Sequence, residues 1–441
     1  MKAPNVLFIV ADDHRHDCLS CVDANSAQTP VLDALAAGGT HFRGARIVGG
    51  ANGAVCVPSR AALHTGCAPH HAIEPVAAPM VNGTNVIGGS RTLLGEAFCA
   101  AGYATFATGK WHNDGAAFNR AFADGEALLF RGMSDHHNPP LQDYDPSGAY
   151  PESRAQPREG FSTELFTDAA IRFIDQRRAD EPFFLSIAFT SPHDPRTPPP
   201  EWRALYDENA IALPPNFLAE HPFDNGELDV RDEKLAALPR DTAEVRRHIA
   251  EYYGMISHHD AQIGRLLDCL EQRGLRENTI VVYVADHGLA LGQHGLMGKQ
   301  NVYEHSLRVP LIISGPGVPA GCVVADDVYS FRAFATLCEL AGVHRPESVM
   351  TDSLLPLLTA SDATAAKPHF SHYRERQATV KAGQWKLIEY YPPAERRVEL
   401  FDLAEDPWET CDRSADPACA EVLAKLRGEL ADWRRRDLQV E

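Results

Sequence analysis

Basic charge is scarce in this chain relative to acidic charge. Lys and Arg number 41 against 60 Asp and Glu, for a formal net charge of −19. Affinity for phosphate backbones comes mainly from Lys and Arg, so this balance excludes a general nucleic-acid binder. An anion that binds here needs a local cluster of cations or a metal ion to overcome the overall field. Long apolar runs are missing too. No segment approaches the roughly 18 uninterrupted apolar residues of a membrane span. The opening run Val6–Val10 is too short for a signal-peptide core, has no small-residue cleavage site and meets Asp12 and Asp13 at once. The expectation is no nucleic-acid partner, no membrane and a cytoplasmic location. The ten cysteines are scattered rather than framed, so most are expected to be reduced packing residues. Cys18 and Cys21 form a lone C-x-x-C with no second pair at zinc spacing, and are read the same way. Internal repeats and low-complexity tracts are absent.

What is present is globular composition, 44% hydrophobic and 23% charged over 441 residues. That length exceeds what one core usually fills, which predicts a large domain plus a smaller one. Apolar, β-branched or aromatic runs at Val6–Val10, Tyr103–Ala107, Phe183–Phe189, Ile280–Val284 and Val309–Ile313 read as buried strands. Helical patterns such as Thr29–Ala37 and Ser162–Gln176 separate them, and the alternation predicts an α/β layered fold with a largely parallel sheet. The clearest helix runs from Thr242 to about Arg273, with Asp241 and Glu244 as its capping pair and Gly274 beyond its end. Residues 131–160, 192–200 and 213–223 read as irregular loops. After about residue 360 the texture changes to short antiparallel strands at Thr379–Val380, Trp385–Tyr390 and Val398–Phe401, then a terminal helix from about Ala418. The expected division is 1–360 for the main domain and 361–441 for a small α+β subdomain.

In open α/β sheets ligands bind beyond the carboxyl ends of the strands. Four predicted strands end in chemistry there: Asp12-Asp13, then Gly109-Lys110-Trp111-His112, then Ser191-Pro192-His193-Asp194, then Asp286-His287-Gly288. Asp12, Asp13 and Asp286 are hard oxygen ligands suited to Ca²⁺, Mg²⁺ or Mn²⁺, and His287 can complete the set. Lys110, His112, His193 and Lys299 are the candidate anion-binding and acid/base groups. The chain has 20 His, so pairs such as His70-His71, His136-His137 and His258-His259 carry little weight alone. The sharpest signal is Cys56-Val57-Pro58-Ser59-Arg60-Ala61-Ala62-Leu63-His64-Thr65-Gly66. Pro58 fits a first helical turn and so puts Cys56 just before a helix N-terminus, where free N–H groups favour negative charge.

With these residues in view, the sequence resembles the type I sulfatases of the alkaline phosphatase superfamily. The C-x-P-S-R string followed by A-A-L-x-T-G resembles their signature. The opening Asn5–Arg15, the Gly109–His112 segment, Asp286-His287-Gly288, Gly292–Gly295 with Lys299, Leu354–Leu358 and Glu399–Leu403 through Asp406–Thr410 are similar to their other segments. The resemblance spans essentially the whole chain. It implies an alkaline-phosphatase-like α/β/α sandwich of three layers around a large, mostly parallel mixed sheet. It also implies that a maturation enzyme oxidises Cys56 to formylglycine, whose hydrate attacks sulfur while held on a metal. In that scheme Asp12, Asp13, Asp286, His287 and the modified residue 56 bind the metal, and Arg60 orients residue 56. Lys110 and Lys299 neutralise sulfate oxygens, His193 protonates the leaving alcohol, and His112 collapses the diol. Many relatives carry Asn where His287 stands, and imidazole is a less usual Ca²⁺ ligand, so a softer divalent ion is open; Ca²⁺ is the favoured ion, with Mg²⁺ or Mn²⁺ as alternatives.

The leading expectation is a sulfuric ester hydrolase acting on a small-molecule or oligosaccharide sulfate ester, with a carbohydrate sulfate preferred. Asp135, His136 and Arg120 are the expected readers of the alcohol part. A phosphonate monoester or phosphodiester hydrolase with the same site is the alternative. A non-catalytic binding protein with an unconverted Cys56 is the third reading. The oligomeric state is not legible in the sequence.

Overall fold

The structure is a computed structural model that describes residues 2–74, 86–178, 181–359, 367–393 and 395–440. The expected boundary at 360/361 lies outside the described residues. Eight strands form the main sheet: β1 (Asn5–Ala11), β2 (Gly39–Arg46), β3 (Ala104–Lys110), β4 (Asp124–Leu129), β5 (Phe183–Ala188), β6 (Thr279–Ala285), β7 (Leu311–Ser314) and β8 (Cys322–Tyr329). Their order is β8-β2-β7-β6-β1-β5-β3-β4. All neighbours pair in parallel except β7, which runs antiparallel to both β2 and β6. This is the mostly parallel mixed sheet that the sequence predicts.

β1 occupies the middle, between β6 and β5, in register from Val6 to Val10 on both sides. A strand flanked by neighbours and layered on both faces must be apolar throughout, and every residue of β1 is buried. Each of Val6, Leu7, Phe8 and Ile9 contributes about 1.5–3 kcal/mol on burial. After β1 the chain builds the β2 side of the sheet and only later the β3 side. The strand order therefore reverses beside β1, and this is where an open α/β sheet leaves a crevice.

Two strands escape the sequence reading. β2, with the sequence GTHFRGAR, is too polar and glycine-rich to announce itself. Its glycines are there for close approach: a Cβ at Gly44 would lie 2.1 Å from Asp326 O, where the β2–β8 ladder shifts register. β4 is short and begins at an exposed Asp124. The catalytic-signature string forms α2 (Cys56–Thr65), preceded in the chain by α1 (Pro30–Ala37). α2 is buried along its full length and ends on Gly66 in the left-handed region at φ 64°. Cys56 is the first helical residue, one position further in than expected.

α3 (Ser162–Asp175) and α4 (Thr242–Gln272) pack together on the sheet. Asp241 caps α4 by accepting from the amides of Ala243 and Glu244. Within the predicted loop 131–160 the pairs Pro140–Leu141 and Gln156–Pro157 form a minimal ladder.

A second sheet holds β9 (His369–Tyr373), β10 (Gln377–Ala382), β11 (Trp385–Tyr390) and β12 (Arg397–Asp402), all antiparallel, with α5 (Ala420–Trp433) against it. Its fifth member comes from the N-terminal part of the chain: Gly49–Gly50 pairs in parallel with β9. A Cβ at Gly49 would stand 2.0 Å from His372 O, and its φ is 85°. This glycine pair stitches the C-terminal sheet to the loop that leads into α2. No helix among the described residues is long and apolar enough to cross a membrane.

Candidate active site

The crevice beside β1 collects the polar ends of four strands. Asp12 and Asp13 follow β1, Asp286 and His287 follow β6, Lys110 closes β3, and His193 lies just beyond β5. The N-terminus of α2 delivers Cys56, Ser59 and Arg60 to the same place. All of these side chains are buried.

The carboxylates are locked by cations and by backbone. Arg60 donates through Nε to Asp286 Oδ2 at 2.8 Å and through Nη1 to the Lys110 carbonyl at 2.7 Å, and its Nη2 lies 3.5 Å from Asp12 Oδ2. Lys110 Nζ donates to Asp12, and Lys299 Nζ donates to Asp13 Oδ1 at 2.8 Å. Asp13 sits in the left-handed region at φ 69°, a costly conformation for a residue with a Cβ. Two bonds hold it there. Its amide donates to Asp286 Oδ1 at 3.3 Å, and Tyr252 donates its hydroxyl to the Asp13 carbonyl at 2.6 Å. Ser59 donates to the Asp286 carbonyl, tying α2 to the end of β6.

The donor set fits a divalent cation. Asp12 Oδ1 and His287 Nε2 are buried polar atoms with no hydrogen-bond partner. They lie 3.8 Å apart, and His287 Nε2 is 3.6 Å from Asp286 Oδ1. The other ring nitrogen, Nδ1, is 3.1 Å from the Gly288 carbonyl and 3.1 Å from Asp13 Oδ1, so its N–H is spoken for and Nε2 is the free ligand atom. One ligand atom from each of Asp12, Cys56, Asp286 and His287 lies within 4.8 Å of the others, and Asp12, Asp13 and His193 form a second such group. Carboxylate oxygens with one imidazole suit Ca²⁺, Mg²⁺ or Mn²⁺. Electrostatics show the same demand for positive charge. Burial alone would pull the His287 pKa down, but the carboxylates of Asp286 and Asp13 push it up to about 9. Burial also raises Asp286, and the Asp12 charge beside it adds to the rise.

Cys56 Sγ lies 3.1 Å from His112 Nδ1. Burial opposes thiolate formation there, but Lys110 and His112 outweigh it and hold the thiol well below its ordinary range. Burial lowers the His112 pKa, while the Cys56 sulfur beside it pulls the other way. Gly132 makes room for this ring, since a Cβ there would stand 2.8 Å from it. His193 Nδ1 is 2.7 Å from the Asp194 carbonyl; a carbonyl only accepts, so Nδ1 carries the proton in that bond. Asp194 is gripped by Arg231 at 2.5 and 3.0 Å. Cys56, His112, His193 and Lys299 open onto a cavity of about 430 Å³, together with Arg231, Asp232 and Arg374.

The structure thus brings together Asp12, Asp13, Cys56, Arg60, Lys110, His112, His193, Asp286, His287 and Lys299. It does not bring the three expected alcohol readers to the cavity. Arg120 faces away and pairs with Glu96 at 3.0 Å and with the Arg91 carbonyl. Asp135 is exposed and accepts from the His137 amide in its own turn at 2.9 Å. His136 is buried behind the site, where Nε2 meets the His193 carbonyl at 2.9 Å and Nδ1 meets Ser162 Oγ at 2.8 Å. It positions His193 rather than touching a ligand. Sequence reasoning named Asp194 in a strand-end string without giving it a role, and passed over Arg231, Asp232 and Arg374. Asp194 stood beside His193 and had a signal; the others lie in irregular segments whose placement needs the folded chain.

Comparison with known proteins agrees with this geometry. Residues 4–343 match the Sulfatase family, and residues 292–436 match the family described as N-sulphoglucosamine sulphohydrolase, C-terminal. The N-acetylglucosamine-6-O-sulfatase of Bacteroides thetaiotaomicron is 26% identical over 477 aligned positions, covering 92% of this chain and 82% of the relative. Human arylsulfatase K is 25% identical over 92% of this chain and 78% of its own. A protein solved in complex with its substrate D-glucosamine-2-N,6-O-disulfate shares the fold at a TM-score of 0.82, with 23% identity over 100% of this chain and 99% of the other. The phosphonate monoester hydrolase of Agrobacterium radiobacter shares the fold at 0.77, with 23% identity over 98% and 96%. With the strand-end carboxylates, the α2 string and the family match all falling on one crevice, the chain belongs to the sulfatase family and is a sulfatase enzyme.

Proposed function

We propose that this sulfatase hydrolyses a carbohydrate sulfate ester, using residue 56 as formylglycine and a divalent ion at Asp12, Asp13, Asp286 and His287. The observation that carries the reading is the burial of Cys56 within 3.1 Å of His112 and beside Asp12, Asp286 and His287, with Lys110 and Lys299 bonded to Asp12 and Asp13. Formylglycine at position 56 would supply the nucleophilic hydroxyl, and an ion held by Asp12, Asp13, Asp286 and His287 would supply Lewis acidity toward a sulfate oxygen.

The chain's own residues do the rest. Lys110 and Lys299 carry the positive charge that a sulfate meets on entry, each already oriented by an aspartate. Arg60 keeps Asp12 and Asp286 fixed relative to the α2 terminus. His193, anchored through Nδ1 to the Asp194 carbonyl, offers Nε2 as the proton donor to the leaving alcohol oxygen. His112 is the nearest base to the side chain at 56 and would take the proton released there as sulfate leaves. Sugar as the alcohol part is supported by relatives that act on glucosamine sulfates and by the family match over residues 292–436.

Intact mass of the peptide containing residue 56, from protein made in its host, tests the central step. Conversion replaces sulfur by oxygen and removes two hydrogens. An unconverted thiol in active protein overturns the reading. Matched sulfate monoesters and phosphonate monoesters then separate the two ester classes by kcat/KM, and the sulfate is expected to be preferred.

A further inference from the structure

Three consecutive charged residues, Arg231, Asp232 and Glu233, stand outside every motif of the sequence, yet each reaches a loop that carries His193 or Lys299. Arg231 lines the catalytic cavity, with its side chain 47% exposed. Its Nη1 donates to Asp194 Oδ2 at 2.5 Å and its Nη2 to Asp194 Oδ1 at 3.0 Å. The same Nη2 donates to Asp232 Oδ1 at 2.5 Å. Both carboxylates are buried. Asp232 Oδ2 accepts from Gln300 Nε2 at 2.8 Å, and Gln300 Oε1 accepts from the Lys299 amide at 3.0 Å. Glu233 accepts from the amides of Met297 and Gly298, both at 2.9 Å, and pairs with Arg240 at 2.5 Å.

The Asp194 carboxylate has two partners within reach. Its Oδ1 lies 3.0 Å from Arg231 and also 3.3 Å from His193 Nδ1. His193 Nδ1 donates instead to the Asp194 carbonyl at 2.7 Å. A bond to a charged acceptor is about twice as strong as one to a neutral acceptor. A carboxylate released from Arg231 would therefore take the Nδ1 proton from the carbonyl and draw the ring toward itself. On the other arm, burial works to raise the Asp232 carboxyl, but the charges of Lys299 and Arg231 pull it below its usual range. Asp232 thus faces both cations as an anion. Only a planar fork spans two carboxylates in this way, since an ammonium is a point charge.

We propose that Arg231 is a positioning residue for the sulfatase reaction: by spanning Asp194 and Asp232 it keeps the Asp194 carboxylate off His193 and ties the His193 loop to the Lys299 loop, so that proton donor and sulfate-binding ammonium meet one ester from fixed points. The inference rests on the roles given above to His193 and Lys299 and adds the residue that couples them. Direct contact with substrate is the rival role, since Arg231 stands half exposed beside the cavity. Its charge is already met by two carboxylates, which weighs against a third anion there.

The test uses the full chain and two esters, an alkyl sulfate and a nitroaryl sulfate whose leaving group needs no proton. Arg231→Met should lower kcat on the alkyl sulfate about 10- to 100-fold, the cost of a misplacement of about 1 Å, with KM within about twofold. On the nitroaryl sulfate the loss should stay below about threefold, which also shows that the variant folds. Arg231→Lys keeps the charge but cannot span both carboxylates, so it should recover only part of the loss. Asp232→Asn acts on the Lys299 arm and should cost both esters equally. The double variant Arg231→Met, Asp232→Asn should cost less than the product of the two, because both act through one guanidinium. A second readout needs no turnover: long-range ¹H–¹⁵N spectra of histidine-labelled protein, with the His193 signals identified by their loss in His193→Gln. Arg231→Met should move those signals and Arg231→Lys should move them less. An unchanged His193 signal, equal losses on the two esters, or a raised KM at unchanged kcat overturns the proposal, the last in favour of substrate contact. Failure of the parent enzyme to hydrolyse any sulfate ester strikes the sulfatase chemistry instead, and the His193 signal still decides what Arg231 positions.

Discussion

Lys110→Met should move two properties of this protein in opposite directions. Lys110 is fully buried and its ammonium donates to Asp12, itself fully buried. Asp12 also faces Arg60 at 3.5 Å, and its other oxygen has no hydrogen-bond partner. Lys110 therefore competes with a divalent ion for the charge of Asp12. Removing one member of a buried pair leaves about 3–5 kcal/mol of uncompensated charge. In metal-free protein that cost appears as lost stability. An ion that binds at Asp12 recovers part of it. If it recovers half or more, affinity for the ion rises at least about tenfold, since 1.4 kcal/mol is a factor of ten. Turnover moves the other way. Removing a fixed positive charge aimed at developing negative charge costs about 10²–10³ in kcat. Calorimetric titration of metal-free protein with Ca²⁺ and Mn²⁺, thermal melts with and without the ion, and sulfate-ester hydrolysis at saturating ion read the three effects. Asp13→Asn is the comparison, in which ion affinity and turnover should fall together. If Lys110→Met weakens ion binding as Asp13→Asn does, the competition argument is wrong and Lys110 instead holds Asp12 in its ligating pose.

Three further outcomes follow from the geometry. His193→Gln should cost about 10²–10³ in kcat on an alkyl or sugar sulfate and much less on a nitroaryl sulfate, whose leaving group needs no proton; equal losses on both would remove His193 from the proton-donor role. His136→Phe, which breaks the bond to the His193 carbonyl at 2.9 Å, should lower kcat about tenfold at unchanged KM, with partial recovery in His136→Gln, whereas an equal loss on the nitroaryl sulfate would mark a general structural effect. Asp260 is buried and pushed up to about 7 by that burial, although its carboxylate accepts from the amides of Val31 and Leu32 at 3.0 and 2.8 Å. Its proton is bound more tightly in the folded chain than in the unfolded one, so its contribution is complete below about pH 4 and is lost as the pH climbs through 7, about 4 kcal/mol in all. Urea midpoints at pH 5 and pH 8 should differ less in Asp260→Asn than in the parent, and an unchanged difference would reject this assignment.

Local sequence was enough to place Asp12, Asp13, Asp286 and His287 at the ends of central strands. Asp12-Asp13 and Asp286-His287 each follow a run that only a central, doubly covered strand can use, and such runs are conspicuous because both faces must be apolar. The α2 string was equally legible, since a proline in the first turn and a glycine after the last mark the two ends of a helix. What those residues do to one another was not legible. The ion pairs of Lys110 with Asp12 and of Lys299 with Asp13 join positions 98 and 286 residues apart, and no period or spacing encodes them. The same limit explains Arg120 and Asp135, whose closeness to the motifs along the chain means nothing across it.

The folded chain alone decided the outer wall of the site. β2 and the Gly49–Gly50 pair show no hydrophobic pattern, because their residues are chosen for close backbone approach rather than for burial of side chains. Yet that glycine pair brings β9, and with it Tyr373 and Arg374, to the mouth of the catalytic cavity. Chemistry at the ends of strands is written in short apolar runs and the polar letters that stop them. The shape of the space in front of it depends on contacts between segments more than 300 residues apart, and only packing settles those.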